Sequence, residues 1–231
     1  DTYFEGRPNL DEVVYRIIPD PSTMFLELKA GKLDMMSLSP QQYLRQTQGP
    51  QWERDWRKYR YLSFSYTFLG FNLEHPFFKD VRVRRAISMA IDRQSLIDGV
   101  LLGQGEAAYS PLQKSAYNNA DIDHFTYDPE KAERLLVEAG WSKGADGYYE
   151  KDGERLSFTI AAMADDQVRV DMAAMCASQL QQIGADVSAE TRQSLDWAGQ
   201  EACIIGWGSP FDPDDHTYKV FTTGAGDNYT S

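Results

Sequence analysis

Cysteine is scarce: the 231 residues hold only Cys176 and Cys203. That excludes a disulfide framework and a four-cysteine zinc site. Two buried free thiols are expected, with a pair in an oxidising compartment as the alternative. Histidine is nearly as rare, and His75, His124 and His216 lie far apart. The zinc-protease arrangement of two histidines on one helical turn is therefore absent. Apolar runs last only a few residues, as at Val100 to Leu102, against the roughly 20 that cross a bilayer. Positive charge is in deficit, with 23 Lys and Arg against 35 Asp and Glu, a net charge of −12. An acidic surface repels phosphate backbones and anionic membranes, so neither nucleic acid nor membrane is an expected partner. Asp1 to Gly6 lack the basic-then-apolar pattern of a signal peptide, so the start reads as an internal or processed position.

Against these absences stands an ordinary globular composition, 42% hydrophobic and 25% charged. The length supports a sizeable buried core. No repeat, low-complexity tract or Ser/Gly/Pro linker divides the chain, so a single unit over 1–231 is expected. Helix and strand signals alternate, which gives an α/β class, or α+β with a mixed sheet and flanking helices.

Glu12 to Ile18 (EVVYRII) is β-branched and aromatic and reads as a strand. Ser22 starts a helix through Lys29 that turns Met24, Phe25 and Leu28 inward, and Leu33 to Ser37 reads as a second strand. Gln41 to Gln48 reads as helix and Lys58 to Phe71 as long strand. Asp80 and Asp92 each cap a helix. Gly103 to Tyr127 is a loop too long to lack support, so it is expected to be ordered against something. Asp128-Pro129-Glu130 is a helix start, and Gly140 the matching stop. Two Asp-Gly-type turns between Lys143 and Glu154 predict a hairpin. It leads into a strand at Leu156 to Ala162. A long amphipathic helix at Asp166 to Ile183, strands at Ala185 to Thr191 and Ala202 to Ile205, and a helix at Asp214 to Phe221 complete the pattern.

Local catalytic signatures are missing. Gly206 to Pro210 (GWGSP) places Ser209 after a glycine, but it is not the Gly-x-Ser-x-Gly elbow of hydrolases. Asp212, Asp214, Asp215 and His216 are dense in possible metal ligands. An EF-hand loop counted from Asp212 would need Gly and Glu where Thr217 and Thr223 stand. An acidic helix start, favourable with the helix dipole, explains the cluster without a metal. Gly224 and Gly226 lack the strand and helix that a phosphate cradle needs. The arginines Arg82, Arg84, Arg85 and Arg93 read as a solvated face with ion pairs. One constellation remains. Trp207 and Phe211 flank Gly208, Ser209 and Pro210 just after a buried strand, where flat rings and backbone groups can hold a small ligand. Asp212 and Asp214 can attract a cationic group on it. Core packing of Trp207 beside a plain loop accounts for the same residues equally well.

Longer patterns are more specific. Gly6, Pro8, Leu10, Val13, Asp20, Leu28, Gly31 and Asp34 fit a strand-and-helix pattern running from G-x-P-x-L-x-x-V to L-x-x-G-x-[IL]-D. Phe71-Asn72, Pro76-Phe77, then Asp80 through Val83-Arg84, Ala86-Ile87 and Ala90-Ile91-Asp92-Arg93 form a second match. Asp128-Pro129, Lys131-Ala132, Leu135-Leu136 and Ala139-Gly140-Trp141 are a third, and Gly206-Trp207 with Asp212-Pro213-Asp214 a fourth. In this order the matches resemble the family 5 extracytoplasmic solute-binding proteins of ABC transporters, the oligopeptide, dipeptide and nickel binders.

The resemblance implies one lobe of a two-lobed, type II periplasmic-binding-protein fold, cut from a chain about twice as long. It implies capture of a peptide or similar small polar solute, delivery to membrane permease subunits, no catalysis and no cofactor. A nickel complex, an opine-like or a sugar-derived solute is the alternative cargo, and a hydrolase using Ser209 the alternative from another class. The expected place is periplasmic or extracytoplasmic, with membrane contact only through the permease or an anchor outside these residues, and the expected state a monomer. By position, the ligand wall is Trp207, Gly208, Ser209, Pro210, Phe211, Asp212 and Asp214. Peptide-binding members often carry Gly-Trp-x-x-Asp-Tyr, whose Asp pairs with the peptide amine. Here Pro210-Phe211 stand at the Asp-Tyr positions.

Overall fold

The structure is a computed structural model that describes Phe4, residues 6–112, 117–196, 199–208 and 212–226, and Asn228, with only the backbone described at 213, 215 and 216. Its chain falls into two compact units, Asp1–Gln46 and Thr47–Ser231. Among the described residues no helix is long and apolar enough to cross a membrane.

The first unit contains helix α1, Pro21–Lys29, and one π-helical turn at Gln42–Gln46. Asp20, not Ser22, caps α1: its carboxylate accepts from the Thr23 amide at 2.7 Å, and Pro21 takes the first helical position. A proline there loses no bond, because that N–H has no partner inside the helix. Phe25 and Leu28 are buried, as their spacing predicts. The two strands expected here do not form. Residues 12–18 and 33–37 are irregular, and Val13, Val14, Tyr15 and Ile17 are exposed. Their composition suits a pleated, half-buried surface, but a strand also needs a neighbour to complete its ladder. Residues 1–46 supply none among those described.

The second unit begins with helix α2, Pro50–Asp55, which the sequence patterning missed. Strand β1 is only Ser65–Phe71; the aromatic residues before it are irregular. Helices α3 (Pro76–Lys79), α4 (Val81–Ala90) and α5 (Arg93–Gly99) follow. Asp80 and Asp92 cap α4 and α5 as expected, accepting from the Arg82 amide at 2.8 Å and the Gln94 amide at 3.0 Å. Helix α6, Pro129–Glu138, starts at the Asp128 cap and carries Ala132 and Leu136 inward. The predicted hairpin is a three-stranded meander of β2 (Ser142–Lys143), β3 (Tyr149–Lys151) and β4 (Glu154–Arg155). Asp152 and Gly153 turn it with φ of 54° and 82°, the positive pair that tight hairpins use.

Strand β5 (Ser157–Met163), helix α7 (Gln167–Ile183) and strand β6 (Asp186–Arg192) form a crossover unit. Strand β7 (Ala202–Gly208) and helix α8 (Pro213–Phe221) follow. The main sheet has the order β1-β7-β5-β6. β5 runs parallel to both β6 and β7, whereas β1 is antiparallel to β7. The sheet is therefore mixed, with helices beside it, in keeping with the class read from the sequence. One apolar core joins α4, α6 and α7 to the sheet through Ile87, Leu136, Ile160 and Leu180, all at most 1% exposed. Cys176 and Cys203 are both free and buried. Burial pushes each thiol up to about 12, so both stay protonated at neutral pH.

Candidate functional site

A cavity of about 680 Å³ lies within the second unit. Its floor is the β1–β7 pair, which presents Thr67, Leu69, Ile204 and Gly206. Ile87 and Ile91 come from α4 and its end, Leu96 and Ile97 from α5, and Met172 and Cys176 from α7. The loop residues Gln104 to Ala108, Ser110 and Pro111 supply a further wall. Apolar walls with a few polar groups are the usual makeup of a small-ligand site.

The loop wall is held by Arg93. Its guanidinium donates to Ser88 Oγ at 2.7 Å and to the Phe125 carbonyl at 3.2 Å. It also lies 5.5 Å from the centre of the Tyr109 ring, and Tyr109 stacks on His124 at 4.3 Å. Tyr109, His124 and Phe125 of the 103–127 loop thus pack against the α4–α5 corner, in line with the support its length calls for. Arg93 departs from the solvated face expected of it, because its partners face inward. Arg82 does keep a surface pair, with Asp80 at 2.6 Å, and Arg84 donates to the Phe78 carbonyl.

At the opposite rim stands Arg169, in the first turn of α7. Asp166 caps that helix by accepting from the Arg169 amide at 3.1 Å and pairs with Arg169 Nε at 3.0 Å. The guanidinium rests on Gly206: a Cβ built there would lie 2.5 Å from Arg169 Nη2 and 3.5 Å from Thr67 Oγ1. Thr67 is the cross-strand partner of Gly206. Glycine at 206 therefore makes the seat on which this arginine lies.

Of the wall expected from the sequence, Trp207 and Gly208 line the cavity. They sit opposite Tyr66 and Ser65 on β1, and burial raises the Tyr66 hydroxyl to about 12. Ser209, Pro210 and Phe211 lie outside the described residues. Asp212 is the cap of α8, accepting from the Asp214 amide at 3.0 Å, and both acids are exposed. The cap accounts for the Asp212 side chain in the way the sequence suggests for an acidic helix start. Sequence reasoning missed Thr67, Arg93, Arg169, Met172 and Cys176. The first lies on a strand whose pairing was not foreseeable, Arg93 was read as part of a solvated face, and the other three belong to a helix read only for its apolar stripe. The one local signal was Asp166 three residues before Arg169, a spacing that places both at one helix start.

Comparison with known proteins decides the family. The family model described as bacterial extracellular solute-binding proteins, family 5 Middle, matches residues 1–229. The chain belongs to this family. Among curated relatives, the oligopeptide-binding protein AppA of Bacillus subtilis is 33% identical over 96% of the chain and 42% of its own length. The nickel-binding periplasmic protein of Escherichia coli is 28% identical over 92% of the chain and 43% of its own length. Among solved structures, NikZ from Campylobacter jejuni in complex with Ni(L-His) superposes with a TM-score of 0.83 at 36% identity, over 92% of this chain and 43% of that one. AppA from Bacillus subtilis with a nonapeptide gives 0.79 at 33% identity, over 99% and 47%. The chain thus spans less than half the length of the relatives it matches.

Proposed function

We propose that this chain is the larger part of one lobe of a solute-binding subunit of an ABC importer. The family match over residues 1–229 carries this reading. In it, the cavity floored by β1 and β7 forms one wall of a ligand cleft, and the missing residues of a parent chain supply the other. The subunit carries its solute to permease subunits in the membrane and catalyses nothing. It works outside the cytoplasm as a monomer. The exposed apolar residues Val13, Val14, Tyr15 and Ile17 are then strand residues whose ladder is completed by the rest of the parent chain.

Peptides are the first cargo, on the relation to the oligopeptide binder AppA, whose structure holds a nonapeptide. A nickel–amino-acid complex is the second, on the relation to NikZ bound to Ni(L-His). Ligand-induced thermal shift of the parent protein separates them. A ligand at 100 times its Kd stabilises the bound form by about 2.7 kcal/mol. A nonapeptide at saturation is expected to raise Tm by several degrees, while nickel with L-histidine leaves it unmoved. The reverse pattern would transfer the proposal to the nickel complex, and two null results would contradict solute binding of either kind.

A further inference from the structure

Most walls of the cavity are regular elements, but one is a strap, residues 102–112, that leaves the end of α5. Among the described residues three non-glycines have a positive φ: Leu102, Phe125 and Asp152. Asp152 sits in the meander turn, where that conformation is ordinary. Leu102, at 52°, and Phe125, at 42°, stand instead near the two ends of the 103–127 loop. A side chain resists the left-handed region, so its surroundings must hold it there, and such residues gather at ligand clamps. Here the Gly103 amide donates to the Ile97 carbonyl at 3.0 Å and the Gln104 amide to the Leu101 carbonyl at 2.9 Å. These bonds fix how the strap leaves α5. At the other end the Phe125 amide donates to Asp123 at 3.0 Å, and the Phe125 carbonyl accepts from Arg93. Arg93 also faces the ring of Tyr109 on the strap and binds Ser88 in α4. One side chain therefore joins the strap, the returning end of the loop and α4.

What the strap encloses is apolar. Ile87, Ile91 and Ile97, all at most 7% exposed, line the cavity beside Leu96 and Leu101. The strap adds only small groups at Gly105, Ala107 and Ala108. A Cβ built at Gly105 would lie 2.6 Å from Leu101 Cδ1, so the strap passes the α5 exit as closely as bare backbone allows. The Cys176 thiol keeps its proton, because burial raises it to about 12. The Arg93 charge is taken up by Ser88, the Phe125 carbonyl and the Tyr109 ring. Of the other charged lining residues, Glu106 is exposed, and Arg169 is paired with Asp166 over Gly206.

Resting on the solute-binding reading, we infer that the space between α5 and the strap is a pocket for one apolar side chain of a peptide solute, and that Arg93 is the positioning residue that sets its width by tying the strap to the α4–α5 corner. The pocket selects by bulk and by lack of charge. A polar or ionised group there loses its water and meets walls of Ile, Leu and Ala that offer it no side-chain hydrogen bond.

The test uses the parent protein and a reference nonapeptide of alanine and serine. Nine relatives each carry one leucine, and nine more each carry one aspartate. At one position leucine is expected to tighten binding about tenfold or more, the order for burying one such side chain, and aspartate at that position to weaken it. The readout is the ratio of leucine to reference affinity, with circular dichroism to confirm the fold of each variant. Leu101→Asn, which puts an amide in the wall, is expected to bring the ratio close to one. Arg93→Met, which frees the strap, is expected to lower it, and Arg93→Lys, which can still donate to the Phe125 carbonyl, to recover part of it. A merely structural loss would weaken leucine and reference peptides alike and leave the ratio unmoved. No leucine preference in wild type, or one that survives Leu101→Asn, overturns the pocket; a ratio unmoved in Arg93→Met overturns the role of Arg93. Wild type that binds nickel with L-histidine but none of the peptides overturns the inference while solute binding stands. Failure to bind any of these probes removes the solute-binding reading and this inference with it.

Discussion

Phe78→Ala is expected to lower the unfolding free energy by about 3–5 kcal/mol, the range for an aromatic truncated in a packed core. Phe78 is fully buried. Its ring meets Phe158 edge-on at 5.1 Å and Phe71 at 4.9 Å. It thereby ties α3 to β1 and to β5, strands that do not pair with each other. Edge-to-face pairs add about 0.5–1.5 kcal/mol beyond buried area. Alanine leaves a cavity at this junction, which the surrounding sheet is poorly placed to fill. Urea denaturation reads the effect as a lower midpoint at unchanged slope. Val137→Ala, on the exposed face of α6, is the matched control and should stay within about 0.5 kcal/mol of wild type. A Phe78→Ala loss below about 1 kcal/mol would mean that the core is not packed around this ring.

The second large effect falls on ligand affinity. Trp207→Ala in the parent protein is expected to weaken solute binding at least 30-fold, the order of a tryptophan hot spot worth about 2 kcal/mol or more. Trp207 is half-buried at the end of β7, opposite Tyr66, and lines the cavity. Its removal takes flat contact area from the wall and leaves the core cluster around Ile160 and Leu180 untouched. Titration calorimetry on wild type and variant, with denaturation alongside, separates the two consequences. Tyr218→Ala, exposed on α8, should leave affinity unchanged. Equal affinity in wild type and Trp207→Ala would take Trp207 out of the site.

The contrast between what was legible and what was not has a physical source. Helix starts at Asp80, Asp92, Asp128 and Asp166 were readable because a cap is a local transaction: one carboxylate and an amide two or three residues on. The Asp152-Gly153 turn was readable for the same reason. At α1 the same rule applied to Asp20, but Ser22 stood close enough to be chosen in its place. Strands at 12–18 and 33–37 were predicted from composition and are absent, because a strand is completed by a partner that composition does not name. β1 shows the milder form of this error: its aromatic pattern runs from Lys58, but the ladder to β7 begins only at Ser65.

The candidate site divides in the same way. Trp207 and Gly208 stood out as an aromatic–glycine pair leaving a buried strand. Arg169 and Thr67 come to the same glycine only because β1 pairs with β7 in a register that sets Thr67 beside Gly206, and because α7 packs against β7. No spacing within one segment encodes that meeting. Gly206 was part of a motif, yet its use as an arginine seat depends on a residue 37 positions earlier (206 − 169).

Native mass spectrometry of the parent protein, purified without refolding, tests the central claim most directly. The account predicts a bound solute that survives purification: adducts spaced by amino-acid residue masses for a peptide carrier, or one discrete adduct with a nickel isotope pattern for a metal-complex carrier. A protein seen only at its bare mass, and still bare after incubation with the nonapeptide or with nickel and L-histidine, would contradict it.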